Sequence, residues 1–212
     1  MKSFDTTLYL VTDRGDMEGH EFESRIRAAI EGGCTMVQLR EKDINSYLMY
    51  ERALAVKKIT DAYRIPLIIN DRLDIMQAVD ASGVHLGQQD IPVKIARKLI
   101  GKDKIIGASV HNKEEAENAE SAGADYLGVG AIFSTITKKN TIATPIGVLR
   151  EIKKNVSVPV VAIGGINERN IRKLKDSHID GIAVISAIMK SNNPPRPIPH
   201  FQPLLCYVQT LR

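Results

Sequence analysis

Eight short apolar runs punctuate the chain, at residues 7–13, 36–41, 67–71, 83–87, 105–110, 126–132, 158–165 and 181–188. Each is rich in Val, Ile or Leu and lacks the apolar–polar alternation of a half-wet antiparallel strand. Each therefore reads as a parallel strand covered on both faces. Between most of them the apolar spacing becomes helical. EFESRIRAAIEGG closes on two glycines, a helix stop signal. NKEEAENAESAGAD predicts a helix ending at Gly123, and NERNIRKLKDSHID one that begins at Asn167, a favoured N-cap. Eight strands alternating with helices in a chain of 212 residues predict one α/β domain, a (β/α)8 TIM barrel over residues 1–190. A doubly wound open sheet is the competing architecture. It normally uses fewer strands, and no strand here opens into a GxGxxG turn.

The pattern breaks after residue 190. PPRPIPHFQPLLCYVQTLR places five prolines between 194 and 203, which forbid a long final helix. Residues 191–212 therefore read as a proline-rich tail. LLCYVQTL, residues 204–211, is the apolar material left to pack on the barrel wall or to enter the subunit interface of a homo-oligomer.

Composition narrows the function. Hydrophobic residues make up 43% of the chain, enough for a sizeable core. Aromatic residues are 5% and Trp is absent, which argues against a platform for stacking nucleic-acid bases. The net charge of +4 is spread along the chain and suits small anionic ligands. Cys34 and Cys206 have no metal or redox spacing. The N-terminus lacks the apolar core of a signal peptide, and no run is long enough to span a bilayer. No membrane role and a cytoplasmic setting are expected.

In such a barrel the active site lies at the C-terminal ends of the strands, so the strand exits hold the chemistry. The second strand leaves through Gln38-Leu39-Arg40-Glu41-Lys42. Period-two geometry puts Gln38, Arg40 and Lys42 on one side, either as solvated charge or as a cationic fork facing an anion. Asn70-Asp71 ends the third run, and Asp90 follows the fourth. Asp71 could instead partner Arg72 or cap a helix. Asp90 could cap the helix that opens around Pro92. The functional alternative is a hard-cation site, because Mg²⁺ takes one or two carboxylates and completes its shell with water and substrate phosphate.

The fifth strand exits at Ser109 and His111, the latter readable as an ordinary loop histidine. The sixth leads into Ser134, Thr135, Thr137, Lys138 and Lys139, a dense donor set that reads as a solvated loop or a phosphate-binding loop. The seventh ends at Gly164-Gly165, and the eighth carries Ser186. Loops after strands seven and eight recurrently bind phosphate through backbone N–H groups. The rim thus divides into a charged half suited to a diphosphate and a glycine-backbone half suited to a monophosphate. No covalent nucleophile is evident.

Taken in order, YLVTD, VQLREK, INDR, GVHLGQQD, IGASVH, GADYLGVGAIFSTITK, AIGGI and AVISAI closely resemble thiamine-phosphate synthases over roughly residues 7–190. The resemblance implies a Mg²⁺-dependent transferase on a (β/α)8 barrel. It would join 4-amino-2-methyl-5-hydroxymethylpyrimidine diphosphate to 4-methyl-5-(2-phosphoethyl)thiazole, giving thiamine phosphate and diphosphate. By motif, Asp71 and Asp90 resemble the magnesium ligands. Gln38, Arg40, Lys42, Asn70, Ser109 and Lys138 resemble contacts to the pyrimidine diphosphate. Thr135, Thr137, Gly165, Ile185 and Ser186 resemble contacts to the thiazole phosphate. The implied mechanism is dissociative, with Arg40, Lys42, Ser109 and Lys138 the catalytic set. Two departures stand out: Ala131 where the family commonly has proline, and the proline-rich tail. Thiazole tautomerases share the barrel, the SVH stretch and a catalytic exit-loop histidine, a role His111 could fill, but generally lack both acids and the intact QLREK. A non-catalytic sensor of phosphate ligands is a third reading.

Overall fold

The computed structural model describes residues 4–134 and 143–189. Eight parallel strands close into a barrel in sequence order. They are β1 (Leu8–Val11), β2 (Met36–Leu39), β3 (Leu67–Asn70), β4 (Gly83–Leu86), β5 (Ile105–Val110), β6 (Tyr126–Val129), β7 (Val160–Ile163) and β8 (Gly181–Val184). Around them lie α1 (Gly19–Glu31), α2 (Ser46–Tyr63), α3 (Leu73–Ala78), α4 (Val93–Ile100), α5 (Lys113–Ser121), α6 (Ile146–Asn155) and the short α7 (Ser186–Met189).

Strand alternation sorts the apolar residues into two cores. Leu8, Leu10, Val37, Leu39, Leu67 and Ile69 point outward, into the layer shared with the helices. Tyr9, Val11, Met36, Ile68, Ile105, Tyr126, Val161 and Ala183 fill the barrel interior. Both faces of each strand are buried, so period-two polarity never develops in the sequence. The pairing of Val11 with Gln38, Asn70 with His85, and Ser109 with Gly128 stacks polar side chains above this plug, near the C-terminal rim. Gly107 makes the stack possible: a Cβ there would lie 2.1 Å from Tyr126 Cζ and 2.5 Å from His85 Nδ1.

The predicted helix stops hold. Gly32 and Gly33 end α1, and Asn112 caps α5 by accepting from the Glu115 N–H at 2.8 Å. Several predicted bounds do not hold: the first, second and sixth runs stop as strands at Val11, Leu39 and Val129. The helix expected over residues 167–180 is only a 3₁₀ turn, Ile171–Leu174. Asn167 holds a local turn there, accepting from the Arg169 N–H at 3.0 Å, and Asp176 and His178 adopt φ of 62° and 53°, which no helix tolerates. The seventh run stops at Ile163 because Gly164 and Gly165 take φ of 102° and 62°. The eighth run is a strand only to Val184, and Ser186 already begins α7. The tail beyond residue 190, and the boundary drawn there, lie outside the described residues.

Candidate active site

The exits of β2, β3 and β4 meet at one cluster. Arg40 follows β2 directly and is anchored through its backbone N–H, which donates to the buried Thr12 Oγ1 at 3.0 Å. Glu41 turns away from the rim: its side chain is 6% exposed and pairs with Arg52 of α2 at 2.6 Å. Burial raises the Glu41 carboxyl above its ordinary value, against the pull of Arg52. QLREK is therefore not a uniform edge of solvated charge. The central acid is an inward anchor, and the two cations flank it.

Lys42 reaches across to Asp71, Nζ to Oδ2 3.4 Å. The pair is exposed, so it stabilises the fold by about 1 kcal/mol at most. Little is lost when Lys42 turns toward a ligand. Asp71 takes φ of 62°, a left-handed conformation that Asp tolerates better than most residues. Its N–H donates to the His85 carbonyl at 2.9 Å, which locks the β3 exit onto β4. Neither alternative for Asp71 survives: Arg72 pairs with Asp74 at 2.5 Å, and Arg72 itself occupies the cap position of α3.

Asp90 also is not a helix cap. The residue before α4 is Pro92, and no side chain caps that helix. Instead Asp90 Oδ2 accepts from the Gly87 N–H at 2.6 Å. Burial first, and then the facing Asp71 carboxylate, raise the Asp90 carboxyl above the ordinary carboxylate range, while the Gly87 amide and Lys42 pull it down. Two carboxylates held together, with an exposed ammonium as their nearby cation, form a site short of positive charge. Asp71 and Asp90 are the residues that could hold a hard divalent cation, with open positions left for phosphate oxygens and water. Among the described residues no group of three or more His, Cys, Asp or Glu forms a fuller metal cage.

Gln38, Asn70 and Ser109 line the barrel mouth beside this cluster. Gln38 is buried, and its Nε2 donates to Tyr9 Oη at 2.7 Å. Ser109 Oγ lies 2.9 Å from His85 Nε2, and its carbonyl accepts from Gln88 Nε2 at 2.7 Å. His85 Nδ1 meets Tyr126 Oη at 2.9 Å, and Tyr126 Oη meets Tyr9 Oη at 2.8 Å. Reading only the strand exits misses His85, Tyr126 and Tyr9. The signal that could have found His85 is a polar residue two positions after Gly83, on the inward face of an otherwise apolar strand. His111, the histidine singled out from sequence, is engaged elsewhere: its Nδ1 and N–H lie 2.9 and 2.8 Å from Glu115 Oε2 at the start of α5.

The other side of the rim is built from backbone. Gly165 has no room for a side chain, since a Cβ would sit 2.4 Å from the Ser134 carbonyl oxygen. The Phe133 N–H donates to the Gly164 carbonyl at 3.0 Å. The Gly165 carbonyl accepts from the amides of Asn167 and Asn170 at 3.1 and 2.8 Å. The glycines thus hold the exits of β6 and β7 against one another. Ile185 is half-buried against the barrel interior and Ser186 is exposed at the first position of α7. Thr135, Thr137 and Lys138 lie outside the described residues. Cys34 is buried, and burial pushes its thiol up to about 12, so it takes no part. No helix among the described residues is long and apolar enough to cross a membrane.

Known proteins match this architecture closely. The thiamine monophosphate synthase family matches residues 8–188. The chain is 56% identical over 188 residues to a thiamine-phosphate synthase of Clostridium tetani, covering 89% of this chain and 90% of the relative. It is 50% identical over 194 residues to that of Methanobrevibacter smithii, covering 92% of each. A solved thiamine phosphate pyrophosphorylase from Pyrococcus furiosus superposes with a TM-score of 0.85 at 38% identity, covering 97% of this chain and 96% of that one. A barrel of eight strands with paired acids and cations at its rim, matched along nearly its full length, places the chain in the thiamine monophosphate synthase family.

Proposed function

We propose that the rim joins 4-amino-2-methyl-5-hydroxymethylpyrimidine diphosphate to 4-methyl-5-(2-phosphoethyl)thiazole, with diphosphate as the leaving group and thiamine phosphate as the product. The observation that carries this reading is the meeting of Lys42, Asp71 and Asp90 at three neighbouring strand exits. The bond between the pyrimidine methylene carbon and the diphosphate oxygen breaks first, and its electron pair leaves with the diphosphate. The thiazole nitrogen then donates its lone pair to the methylene carbon. No protein nucleophile is needed, so the residues act by placing charge and aligning partners.

Arg40 and Lys42 oppose the charge on the departing diphosphate, and Lys138 is assigned to the same group. Asp71 and Asp90 would hold Mg²⁺, which when bound would supply positive charge beside the leaving group. Gln38, Asn70 and Ser109 hold the pyrimidine at the mouth of the barrel. Thr135, Thr137, Gly165, Ile185 and Ser186 hold the phosphate of the thiazole. The tautomerase alternative is disfavoured by the paired acids Asp71 and Asp90 beside Lys42 at the rim; the Glu115 contact on His111 Nδ1 does not bear on it.

The test is to mix both substrates with the purified chain and Mg²⁺ and follow thiamine phosphate. Product that depends on both substrates and on the metal supports the proposal. Isomerisation of the thiazole carboxylate phosphate alone contradicts it, as does binding without turnover.

A further inference from the structure

Five side chains from five strands form one continuous chain of hydrogen bonds across the barrel interior. Gln38 Nε2 lies 2.7 Å from Tyr9 Oη, which lies 2.8 Å from Tyr126 Oη. Tyr126 Oη lies 2.9 Å from His85 Nδ1, and His85 Nε2 lies 2.9 Å from Ser109 Oγ. The rings are packed as well as bonded, with centroids 5.8 Å apart for Tyr9 and Tyr126 and 5.5 Å apart for His85 and Tyr126. Gly107 keeps the space open for them. The two phenols are fully buried, and burial holds both well above their ordinary titration range, so they stay neutral.

With both phenols neutral, the chain has a direction. An amide nitrogen only donates, so the phenol oxygen of Tyr9 accepts from Gln38. A phenol has one proton, and that of Tyr9 goes to Tyr126. The proton of Tyr126 then goes to His85 Nδ1. An imidazole that accepts at Nδ1 while neutral carries its proton on Nε2, and that proton goes to Ser109. Ser109 Oγ has then received a hydrogen bond, and its own O–H is released to donate elsewhere. Turning the Gln38 amide over reverses every bond and consumes the Ser109 proton on His85.

We propose that Tyr126 and His85 are positioning residues, and that the chain from Gln38 through Tyr9, Tyr126 and His85 sets Ser109 as a hydrogen-bond donor to a ring nitrogen of the pyrimidine substrate. A pyrimidine nitrogen carries a lone pair and no proton, so it requires a donor opposite it. The proposal rests on the assignment of Ser109 to the pyrimidine made above. It adds that Tyr9, Tyr126 and His85, to which no substrate contact is assigned, fix which way that hydroxyl points.

The direct test is the histidine tautomer. In the full chain labelled with ¹⁵N-histidine and bound to pyrimidine diphosphate, His85 is expected as the neutral tautomer protonated at Nε2, assigned by loss of its signal in His85→Gln. In Gln38→Glu, at a pH where the infrared carboxylate band shows the new side chain ionised, the donor end becomes an acceptor, the chain reverses, and His85 is expected to switch to the form protonated at Nδ1. Tyr126→Phe cuts the chain while keeping the ring. The KM for pyrimidine diphosphate should rise about tenfold, as for one lost directed hydrogen bond, while the KM for the thiazole phosphate stays within about twofold. A packing role alone would move both constants.

An Nδ1-protonated or doubly protonated His85 in the unsubstituted protein overturns the proposal. So does an unswitched tautomer in Gln38→Glu, or a Tyr126→Phe protein with equal changes in both KM values. Ser109→Ala separates the two layers of the argument. If it leaves the KM for pyrimidine diphosphate unchanged, the assignment of Ser109 to the pyrimidine fails and takes the proposal with it. If it raises that KM and Tyr126→Phe does not, the assignment stands and the relay alone is wrong.

Discussion

The two sides of the barrel rim are built by different means. From β2 to β5 the exits present side chains: Lys42 against Asp71, Asp90 against Gly87, and Ser109 at the end of a buried relay. From β6 to β8 the described exits present backbone, with Gly164 and Gly165 clasped against Phe133 and Ser134. The difference suits the two anions that the proposed function assigns to these sides. A leaving diphosphate gains charge as the bond breaks, so the groups opposing it must be strong and must act at the transition state. A spectator monophosphate keeps its charge, and fixed backbone dipoles hold it equally before and during reaction. Lys42, paired only loosely with Asp71, can follow a charge that moves. A backbone loop with positive φ at two positions cannot, and has no need to.

Substitutions on each side sharpen this contrast. The largest effect is expected at Asp90. Asp90→Asn keeps the shape and the contact to Gly87 but removes one of the two charges available to Mg²⁺. Turnover should fall by about 10²-fold or more, with an unchanged melting temperature and a weakened dependence on Mg²⁺. A variant that unfolds yet retains full activity per folded molecule would return Asp90 to a purely structural role. Lys138→Ala comes next. Its main effect should be on kcat, about 10- to 100-fold, as for a group proposed to act on the departing diphosphate. Burst and steady-state rates at saturating substrates would show this.

Ser186→Ala belongs to the other side. It should raise the KM for the thiazole phosphate about tenfold, as expected for a hydrogen bond to a charged group, and leave kcat within about twofold. Equal effects of Lys138→Ala and Ser186→Ala on both KM values would erase the distinction between the two sides. The smallest effect concerns pH. The folded-state pKa of Glu41 is raised by burial, so protonated Glu41 favours the fold, and that contribution is lost as pH rises through the raised value. Glu41→Gln removes this loss. Its stability relative to the unsubstituted chain should therefore increase as pH rises above the ordinary glutamate range, measured by urea unfolding at stepped pH. A relative stability that falls with rising pH would show that the Arg52 pairing outweighs burial.

The strands were legible from sequence because both faces of a parallel barrel strand are apolar, which leaves unbroken runs such as Leu67–Ile69 and Val160–Ala162. Asp71 and Asp90 were legible for the complementary reason, as acids standing just past such runs. The same uniformity hid Tyr9, His85 and Tyr126. When inward and outward faces are equally apolar, alternation no longer tells which side chains share the interior. The relay also joins residues up to 117 positions apart, and local pattern carries no such pairing. The predicted helix over residues 167–180 failed because the backbone turns left-handed at Asp176 and His178 ahead of β8, which the spacing of apolar residues does not reveal. The expected packing of the tail, and the placing of Thr135, Thr137 and Lys138, fall outside the described residues.

The division of the rim is tested most directly by a double-mutant cycle between Asp90→Asn and Ser186→Ala, read as kcat/KM for thiamine phosphate formation at fixed Mg²⁺. Sites that act independently give free-energy changes that add within about 0.5 kcal/mol. That additivity is the predicted result, with Asp90→Asn appearing in kcat and Ser186→Ala in the KM of the thiazole phosphate. A coupling of more than about 1 kcal/mol, or the loss of both substrates' affinity in either single variant, would contradict it.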